Sequence, residues 1–429
     1  MHNVIIDEPY RFIPPYRGKL WAWVFRSFYL GRFLRKSYGI KSWRIEGLER
    51  LRASLGAGHG ILLCPNHCRP SDPMLMGLIV RETPCYVYAM ASWHIFKQSP
   101  LEGYIANRVG GFSVHREGLD RQSLDTSIDI VASAERPLVI FPEGVISRAN
   151  DRLLTLMDGV SFVARMAAKK RAKMNPAGKV VIHPMSIRYQ LTGDLNDSVS
   201  PVLSRLEQRT FWKTHEYLPL RQRIAQLGQA LLAAREIECL GQPQSGSLSC
   251  RMARLIDAVL HPQEQEWLGQ CRSGDVISRV KDLRIAMLPE ILGGNLPDDE
   301  RQRRWRQLTD SYYLQCLSMY PPQYLDDGIR GKVTAERYAE TVHRLEEDMT
   351  DQVSIRPEWH VTIRIGDPIE VDATQKRVRN GPDPLMESLR RDMLGLLEIE
   401  DWWPPTQVTL AGGGSLPASG SAATHNSDS

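Results

Sequence analysis

The sequence lacks any apolar run long enough to cross a bilayer. A spanning helix requires roughly 18 or more consecutive apolar residues, and the nearest candidate, residues 20–34, is interrupted by Arg26 and Arg32. An apolar signal core is also missing from the N-terminus, and the seven cysteines show no paired spacing. Secretion and a disulfide framework are therefore not indicated, and we expect a cytoplasmic protein with free thiols.

Strong charge of either sign is missing as well. The formal net charge of +4 over 429 residues is too small to indicate nucleic-acid binding, and the apolar and charged fractions are those of an ordinary globular protein. Since a chain of this length exceeds one average domain, we expect two folded units.

Aromatic and basic residues are concentrated near the start of the chain. The aromatic residues between positions 20 and 34 are Trp21, Trp23, Phe25, Phe28, Tyr29 and Phe33, and the basic residues around them include Arg17, Lys19, Arg35, Lys36, Lys41 and Arg44. Aromatic rings enter the headgroup boundary of a membrane, while nearby cations attract anionic lipids. We predict that residues 1–58 form an amphipathic segment that holds the protein peripherally on the inner face of a membrane. The alternative is a helix packed on the core with a solvated basic edge.

Short buried strands alternate with helical segments from about residue 60. Strand character is found at 60–64, 85–89, 111–114, 137–141 and 180–182, and residues 159–173 have apolar residues at helical spacing. Residues 59–195 therefore predict the first part of an α/β core, with a mostly parallel sheet flanked by helices.

The pattern becomes helical after about residue 195. Residues 196–358 carry apolar residues at helical periods, and strand alternation returns at 360–365. We predict that a large helical insertion over 196–358 interrupts the core, and that residues 359–403 supply its final strand and a C-terminal helix. The Gly- and Ser-rich residues 404–429 predict a disordered tail. The aromatic residues expected in the core of the insertion are Trp305, Tyr312, Tyr313 and Tyr320.

A histidine and an aspartate follow the first buried strand. His67 and Asp72 are five positions apart, so on a continuous helix their side chains would point in different directions. Pro70 and Pro73 predict a turn that folds the carboxylate back towards the imidazole. A neutral imidazole held by a carboxylate can take a proton from an alcohol, so the pair is a candidate general base. The alternative is that Asp72 only caps the helix that starts at Pro73.

Polar residues also follow two later strands. Glu143 and Gly144 come directly after the strand 137–141, and Arg116 ends the strand that begins at Gly111. Ligands of α/β proteins bind at the carboxyl ends of parallel strands, and an arginine there can grip a phosphate with two hydrogen bonds. The alternatives are a helix-terminus interaction for Glu143 and a surface salt bridge for Arg116.

Together these segments resemble the glycerolipid acyltransferase family, which includes lysophosphatidate and glycerol-3-phosphate acyltransferases. The family's motifs are matched, in order, by Asn66, His67 and Asp72, by the strand from Gly111 to Arg116, and by Phe141-Pro142-Glu143-Gly144. Residues 180–187 and 365–369 are similar to later strands of the family. Several motifs in the right order are far more specific than any one alone.

Two positions depart from the family pattern. The third motif usually continues Thr-Arg-Ser, whereas here Gly144 is followed by Val145-Ile146-Ser147-Arg148. Arg69 occupies a place where a small hydroxyl residue is common. Both departures lie where the resemblance places the acceptor, so they affect acceptor identity rather than the His-Asp pair.

The resemblance implies a direct acyl transfer in phospholipid biosynthesis. His67 would act as general base with Asp72, and the acceptor, expected to be 1-acylglycerol-3-phosphate, would attack the thioester of acyl-CoA or acyl-carrier protein. The residues implied in substrate binding are Asn66, Arg116, Glu143, Gly144 and Arg148. No metal or other cofactor is expected, and the implied partners are membrane lipids and the acyl carrier.

Other interpretations are open from the sequence. A covalent route through Cys68 is poorly placed, because adjacent residues rarely face one another. A zinc site from Cys64, His67 and Cys68 lacks a fourth ligand. An inactive lipid-binding scaffold with a helical partner-binding region, or an acyltransferase for a lysolipid without phosphate, would use the same fold.

Overall fold

The computed structural model describes residues 7–83, 85–175, 178–294, 296–321, 323–327, 332–353, 357–374 and 381–400. The strands are β1 Ile40–Glu46, β2 Gly60–Pro65, β3 Tyr88–Ser92, β4 Gly111–Val114, β5 Leu138–Val139, β6 Val180–Leu191, β7 Trp359–Ile365 and β8 Ile369–Glu370. The first helices are α1 Leu20–Val24, α2 Leu30–Tyr38, α3 Leu48–Gly56, α4 Asp72–Glu82, α5 Pro100–Arg108, α6 Arg121–Ser133 and α7 Gly159–Met174. The later helices are α8 Leu195–Phe211, α9 Leu220–Leu240, α10 Leu248–Leu268, α11 Val276–Leu292, α12 Asp298–Ser318, α13 Ala335–Thr350 and α14 Pro384–Leu397.

One sheet organises the molecule, in the strand order β1-β7-β6-β2-β5-β3-β4, with β8 also pairing with β6. Neighbouring strands are parallel from β6 through β2, β5 and β3 to β4, and β1 is parallel to β7. Only the pairs that β6 makes with β7 and β8 are antiparallel. The mostly parallel sheet flanked by helices is therefore confirmed.

The central strand β2 is buried along its whole length, which explains its uninterrupted apolar sequence. Ile61 and Leu63 face one layer of helices, and Leu62 and Cys64 face the other. Helices α2, α4, α8 and α13 contribute to the first layer, and α6, α7 and α14 contribute to the second. Since β2 is covered on both faces, the residues that follow its carboxyl end are held at a fixed position.

The helices between β6 and β7 divide into two groups. Apolar residues of α8, α13 and the first half of α9 pack on the sheet in the same cluster as β2 and β6. Helices α10, α11 and α12 form a separate apolar cluster, to which Trp305, Tyr313 and Tyr320 contribute as predicted. Tyr312 is not among the residues of this cluster. The region that the sequence marks as one insertion thus contributes both to the core layer and to a helical unit of its own.

The first 58 residues differ from the single interfacial segment predicted. They include β1, which pairs with β7 at the edge of the sheet, and α3. Nearer the start, Ile13 exchanges hydrogen bonds with Ser113 of the opposite edge strand, β4, and Tyr10 donates a hydrogen bond to Asp120 (2.6 Å). Both edges of the sheet are thereby engaged by the N-terminal part of the chain.

Three predicted strands have clearly different bounds. The strand predicted at 85–89 lies at Tyr88–Ser92, the one predicted at 137–141 is ordered as a strand only at Leu138–Val139, and the one predicted at 180–182 extends over Val180–Leu191. The backbone N–H of Ile140 still donates to the carbonyl of Leu63 (3.0 Å), and the chain then forms the turn that carries Glu143. The predicted tail, 404–429, lies outside the described residues.

Candidate active site

His67 and Asp72 meet at the carboxyl end of β2. The Nδ1 atom of His67 lies 3.0 Å from Oδ2 of Asp72, because the chain turns between them before α4 begins at Asp72. The Asp72 side chain is fully buried, and 15% of the His67 side chain is exposed. The turn predicted from the two prolines therefore brings the pair together, with the carboxylate inside and the imidazole at the surface of the site.

Two groups besides His67 bond to the Asp72 carboxylate. The backbone N–H of Arg69 donates to Oδ2 (2.8 Å), and the Tyr189 hydroxyl donates to Oδ1 (2.6 Å). The hydroxyls of Tyr189 and Ser71 are themselves 2.6 Å apart. Both carboxylate oxygens are thus occupied by groups other than the N-terminal amides of α4, so Asp72 does not serve as the helix cap of the alternative interpretation.

The other face of His67 is apolar. The Phe141 ring lies 4.2 Å from the imidazole, centroid to centroid, at an interplanar angle of 31°. With Nδ1 directed to Asp72, Nε2 makes no hydrogen bond within the described part of the chain. A neutral imidazole with a proton on Nδ1 can accept a hydrogen bond from a hydroxyl at Nε2.

Glu143 holds the backbone around His67 in place. Its carboxylate accepts a hydrogen bond from the backbone N–H of His67 (2.7 Å) and another from that of Leu154 (2.8 Å). Burial raises the pKa of Glu143 to about 7, although the two hydrogen bonds act in the opposite direction. The carboxylate therefore holds the backbone at His67 and is 2% exposed, so it is not a surface for substrate.

Gly144 provides the turn after Glu143. Its φ angle is +68°, in the left-handed region that glycine adopts at low cost, and a Cβ atom there would lie 2.3 Å from Sδ of Met157. A side chain at this position would displace Met157 and strain the backbone. The predicted role of Gly144 in shaping the pocket thus has a geometric basis.

Asn66 is fully buried beside the catalytic pair. Its Oδ1 accepts a hydrogen bond from the backbone N–H of Ile187 (2.6 Å), and its Nδ2 donates to the carbonyl of the same residue (3.1 Å). Both ends of the amide are therefore bonded to β6. These bonds give Asn66 a positioning role, and the substrate binding expected from the sequence stays a prediction.

Cys68 points away from His67. It is 1% exposed, and burial raises the pKa of its thiol well above the ordinary value. A protonated, buried thiol is a poor nucleophile, which weighs against the covalent route. No group of three or more histidine, cysteine or carboxylate side chains in the described residues is arranged to hold a metal ion.

Arg116 follows β4 on the same edge of the sheet as His67, because β4, β3, β5 and β2 run parallel. It makes no hydrogen bond or contact ion pair with any residue that the structure describes. Burial lowers the pKa of its guanidinium, while the neighbouring Glu117 acts in the opposite direction. The surface salt bridge of the alternative interpretation is not present there.

Arg148 has a partner within the protein. Its guanidinium donates a hydrogen bond to Glu347 of α13, and its backbone has a φ of +61°. The preceding residue, Ser147, donates its backbone N–H to the carbonyl of His67 (2.7 Å). The structure thus places Arg148 beside the site and pairs its guanidinium with a carboxylate, and its role in substrate binding stays a prediction.

Sequence reasoning missed residues that come from distant parts of the chain. The Arg69 guanidinium lies over the rings of Trp359 and Tyr189, and one of its nitrogens lies 3.2 Å from Glu340 of α13. His343 of the same helix has a pKa lowered to about 3, first by burial and then by the charges of Arg69 and Arg148. No spacing in the sequence connects these residues to His67.

The fold places a histidine–carboxylate pair at the carboxyl edge of an α/β sheet, an arrangement that is chemically able to activate a hydroxyl nucleophile. The comparison with known families then gives the particular class, because residues 42–188 match the family model described as Acyltransferase. This match covers about a third of the chain. These residues form an acyltransferase domain, the domain of the glycerolipid acyltransferase family, and the protein is an acyltransferase. A comparison with curated proteins found no match.

Proposed function

We propose that this protein transfers a fatty acyl group from acyl-CoA or acyl-carrier protein to a hydroxyl of a glycerol-phosphate-type acceptor, with His67 as general base. The observation that carries this proposal is the 3.0 Å contact between Nδ1 of His67 and a fully buried Asp72, while Nε2 of the imidazole makes no hydrogen bond in the described part of the chain. The acyltransferase domain supports acyl transfer in general, and the acceptor, the donor and the residue roles are our inference.

In the proposed reaction, Nε2 of His67 removes the proton of the acceptor hydroxyl as its oxygen attacks the thioester carbonyl. Asp72 holds the imidazole in the tautomer with a proton on Nδ1 and stabilises the imidazolium that forms. When the tetrahedral intermediate collapses, the carbon–sulfur bond breaks and His67 returns the proton to the leaving thiolate. This route needs no acyl-enzyme, in agreement with the buried thiol of Cys68.

Arg116 supports an acceptor that carries a phosphate. The Arg116 guanidinium makes no ion pair with any described residue, whereas the Arg148 guanidinium is bonded to Glu347. A guanidinium forms strong, charge-assisted hydrogen bonds with phosphate oxygens. We therefore propose 1-acylglycerol-3-phosphate as the acceptor and a role in phospholipid biosynthesis.

Membrane association belongs to the same proposal. Within the described residues, no helix combines the length and the apolar character needed to cross a bilayer. Trp23, Phe28 and Tyr29 are 44%, 65% and 60% exposed in the helical segment that starts at Leu20. Exposed aromatic rings next to arginines and lysines suit the interface of an anionic membrane.

The test is product identification. Purified protein would be incubated with vesicles, isotopically labelled acyl-CoA or acyl-carrier protein, and a panel of acceptors: glycerol 3-phosphate, 1-acylglycerol-3-phosphate, lysophosphatidylcholine and monoacylglycerol. We expect labelled phosphatidate from 1-acylglycerol-3-phosphate. Acylation of only the acceptors without a phosphate monoester would overturn the acceptor proposal, and acylation of none would point to the lipid-binding scaffold.

A further inference from the structure

A buried arginine of the helical region lies against the loop that carries Arg116. Arg284, on α11, is 3% exposed, and its Nη2 donates a hydrogen bond to Gln315 of α12 (3.0 Å). Its Nη1 lies 3.8 Å from Oε1 of Glu117, the residue after Arg116. The Nε and Nη1 atoms of Arg284 are buried without any hydrogen bond. This side chain therefore presents unused donors to the Arg116 loop.

The charges at this contact are not balanced. The carboxylate beside Arg284 is that of Glu117, whose Oε1 lies 3.8 Å from Nη1 of Arg284 and whose Oε2 lies 3.5 Å from Nε2 of His115. The charge of Glu117 also raises the pKa of Arg116, against the effect of burial. Burial lowers the pKa of Arg284 to about 10, and the charge of Arg116 is the next largest cause. A buried cation without a close partner is costly unless an anion joins it.

This cationic site lies at the edge of the sheet that carries His67 and Asp72. Arg116 follows β4 and His67 follows β2, and the strands β3 and β5 between them run parallel to both. Arg284 reaches the residue after Arg116, so a helix of the helical region meets the loop at the carboxyl edge of the sheet.

We propose that Arg284 and Arg116 together bind the phosphate monoester of the acyl acceptor, so that the helical region between β6 and β7 completes the acceptor site. A phosphate dianion supplies the missing negative charge and has enough oxygens to accept hydrogen bonds from both guanidiniums. It takes the unused Nε and Nη1 donors of Arg284, and Glu117 holds Arg284 in place when no acceptor is bound. This inference rests on the proposed function and adds a residue outside the family motifs.

Binding is tested first without an acyl donor. Calorimetric titration of the full chain with glycerol 3-phosphate should show binding, and glycerol should show none. Arg284→Gln should weaken glycerol 3-phosphate binding by about tenfold or more, because hydrogen bonds to a charged group are lost. Arg284→Lys should recover only part of the affinity, since lysine keeps the charge but loses the planar fork. Affinity within twofold of the parent in Arg284→Gln, or no binding by the parent, overturns the proposal.

A matched control comes from the same helix. Arg279 of α11 is 5% exposed, but its guanidinium is bonded to Glu264 and Asp257 rather than facing Arg116. Arg279→Gln should lower the melting temperature yet leave glycerol 3-phosphate affinity unchanged. Glu117→Gln removes the competing carboxylate and should tighten binding. Equal weakening by Arg279→Gln and Arg284→Gln would mean that Arg284 only stabilises the fold.

Kinetics separate the acceptor from the donor, which also carries phosphates. Arg284→Gln should raise the KM for 1-acylglycerol-3-phosphate and leave the KM for acyl-CoA unchanged. A rise in the acyl-CoA KM alone would assign the anion site to the donor and overturn the inference. A normal acceptor KM would overturn it while leaving the proposed acyl transfer intact. Arg284-dependent phosphate binding by a protein that transfers no acyl group would support the anion site and overturn the proposed function.

Discussion

Asp72 is a fully buried carboxylate whose surroundings decide how His67 is presented. Its oxygens receive hydrogen bonds from Tyr189 and from the backbone of Arg69, as well as facing Nδ1 of His67. These hydrogen bonds hold the carboxylate in one orientation, and the carboxylate in turn holds the imidazole in one orientation. At the scale of residues, the proposed catalysis depends on the preorganisation of this pair.

Replacing His67 with alanine should remove the general base. We expect kcat to fall by about 10²–10⁴-fold, which is the usual contribution of acid-base catalysis, while circular dichroism and melting temperature stay close to wild type. Labelled-product assays at saturating acceptor would measure the change.

Cys68→Ser serves as the control for the neighbouring thiol and should keep most of the activity. Turnover of His67→Ala within threefold of wild type, or an acyl-thioester trapped on Cys68, would contradict the mechanism.

Arg116→Ala should act on the acceptor rather than on the donor. Because a charge-assisted contact with phosphate is lost, the KM for 1-acylglycerol-3-phosphate should rise by about tenfold or more, with an unchanged KM for acyl-CoA. Arg116→Lys should rescue incompletely, since it keeps the charge but not the planar fork. An unchanged acceptor KM in Arg116→Ala would favour a lysolipid without phosphate as substrate.

Glu143 should make stability depend on pH. Its pKa is about 7 in the folded protein against an ordinary value of 4.5, so the folded state binds this proton more tightly than the unfolded chain does. The stability from this group is complete below about pH 4.5 and is lost as pH rises through 7, by about 3 kcal/mol in all.

Glu143→Gln does not titrate and isolates this effect. The free energy of unfolding would be measured with urea at several pH values. Between pH 5 and 8, the free energy of unfolding of wild type should fall relative to that of Glu143→Gln. Glu340, whose pKa burial also raises to about 7, is present in both proteins and cancels in the difference. If the difference in the free energy of unfolding between wild type and Glu143→Gln stays constant with pH, Glu143 is ionised throughout this range.

At the scale of elements, the helical segment from Leu20 to Tyr38 has two distinct faces. Leu30 and Leu34 are buried against the core, and Arg26, which interrupts the apolar run, donates a hydrogen bond to the carbonyl of Val80 (2.7 Å). Phe25 also packs against the core. The exposed face instead presents aromatic rings, so a face packed on the core and an exposed aromatic face coexist in one element.

The exposed aromatic residues should contribute to membrane binding. In the triple alanine variant of Trp23, Phe28 and Tyr29, we expect the affinity for anionic liposomes to fall by about tenfold or more, since partial burial of three rings contributes on the order of 2 kcal/mol. The loss should persist at low salt, where attraction of the basic residues is strongest.

Trp212→Ala is a suitable control, because Trp212 is 85% exposed in a different region, after α8. Liposome co-sedimentation measures both variants. If the triple variant binds liposomes as tightly as wild type, these aromatic residues do not contribute to membrane binding, and the segment serves only in packing on the core.

At the scale of the whole molecule, the core is closed by a strand from the C-terminal part of the chain. Strand β7 lies between β1 and β6, and its residues Val361, Ile363 and Ile365 are fully buried. A buried bidentate ion pair between Arg165 of α7 and Asp383 ties the start of α14 to the sheet layer. Residues before and after the helical region therefore form one core.

Ending the chain at residue 353 should abolish folding. It removes β7, β8 and α14, and the loss of Trp359, Val361, Ile363 and Ile365 from the core costs on the order of 8 kcal/mol, which is comparable to the whole stability of a domain. We expect no cooperative thermal transition. A chain ending at residue 400 keeps every described residue and should unfold cooperatively, and a similar transition in the shorter chain would show that the core is complete without β7.

Local rules of the chain determined much of the site and of the sheet. The two prolines and the five-residue spacing of His67 and Asp72 require a turn, and the short apolar run at residues 60–64 indicates an interior strand. Phe141 to Gly144 likewise combines a strand end, an acid and a glycine turn. These features could be predicted from the sequence because each depends on residues only a few positions apart.

Long-range contacts were decided only by the tertiary structure. Tyr189 bonds Asp72 across 117 positions, and Arg284 reaches the Arg116 loop from a different helical unit. Strand β1 was not predicted because Ile40–Glu46 alternates poorly, and it exists only through its pairing with β7. Contacts of this kind leave no periodic signal in the sequence, because the chain between the two partners forms its own helices and strands. The partner residues meet only when the whole sheet and the helical unit pack together.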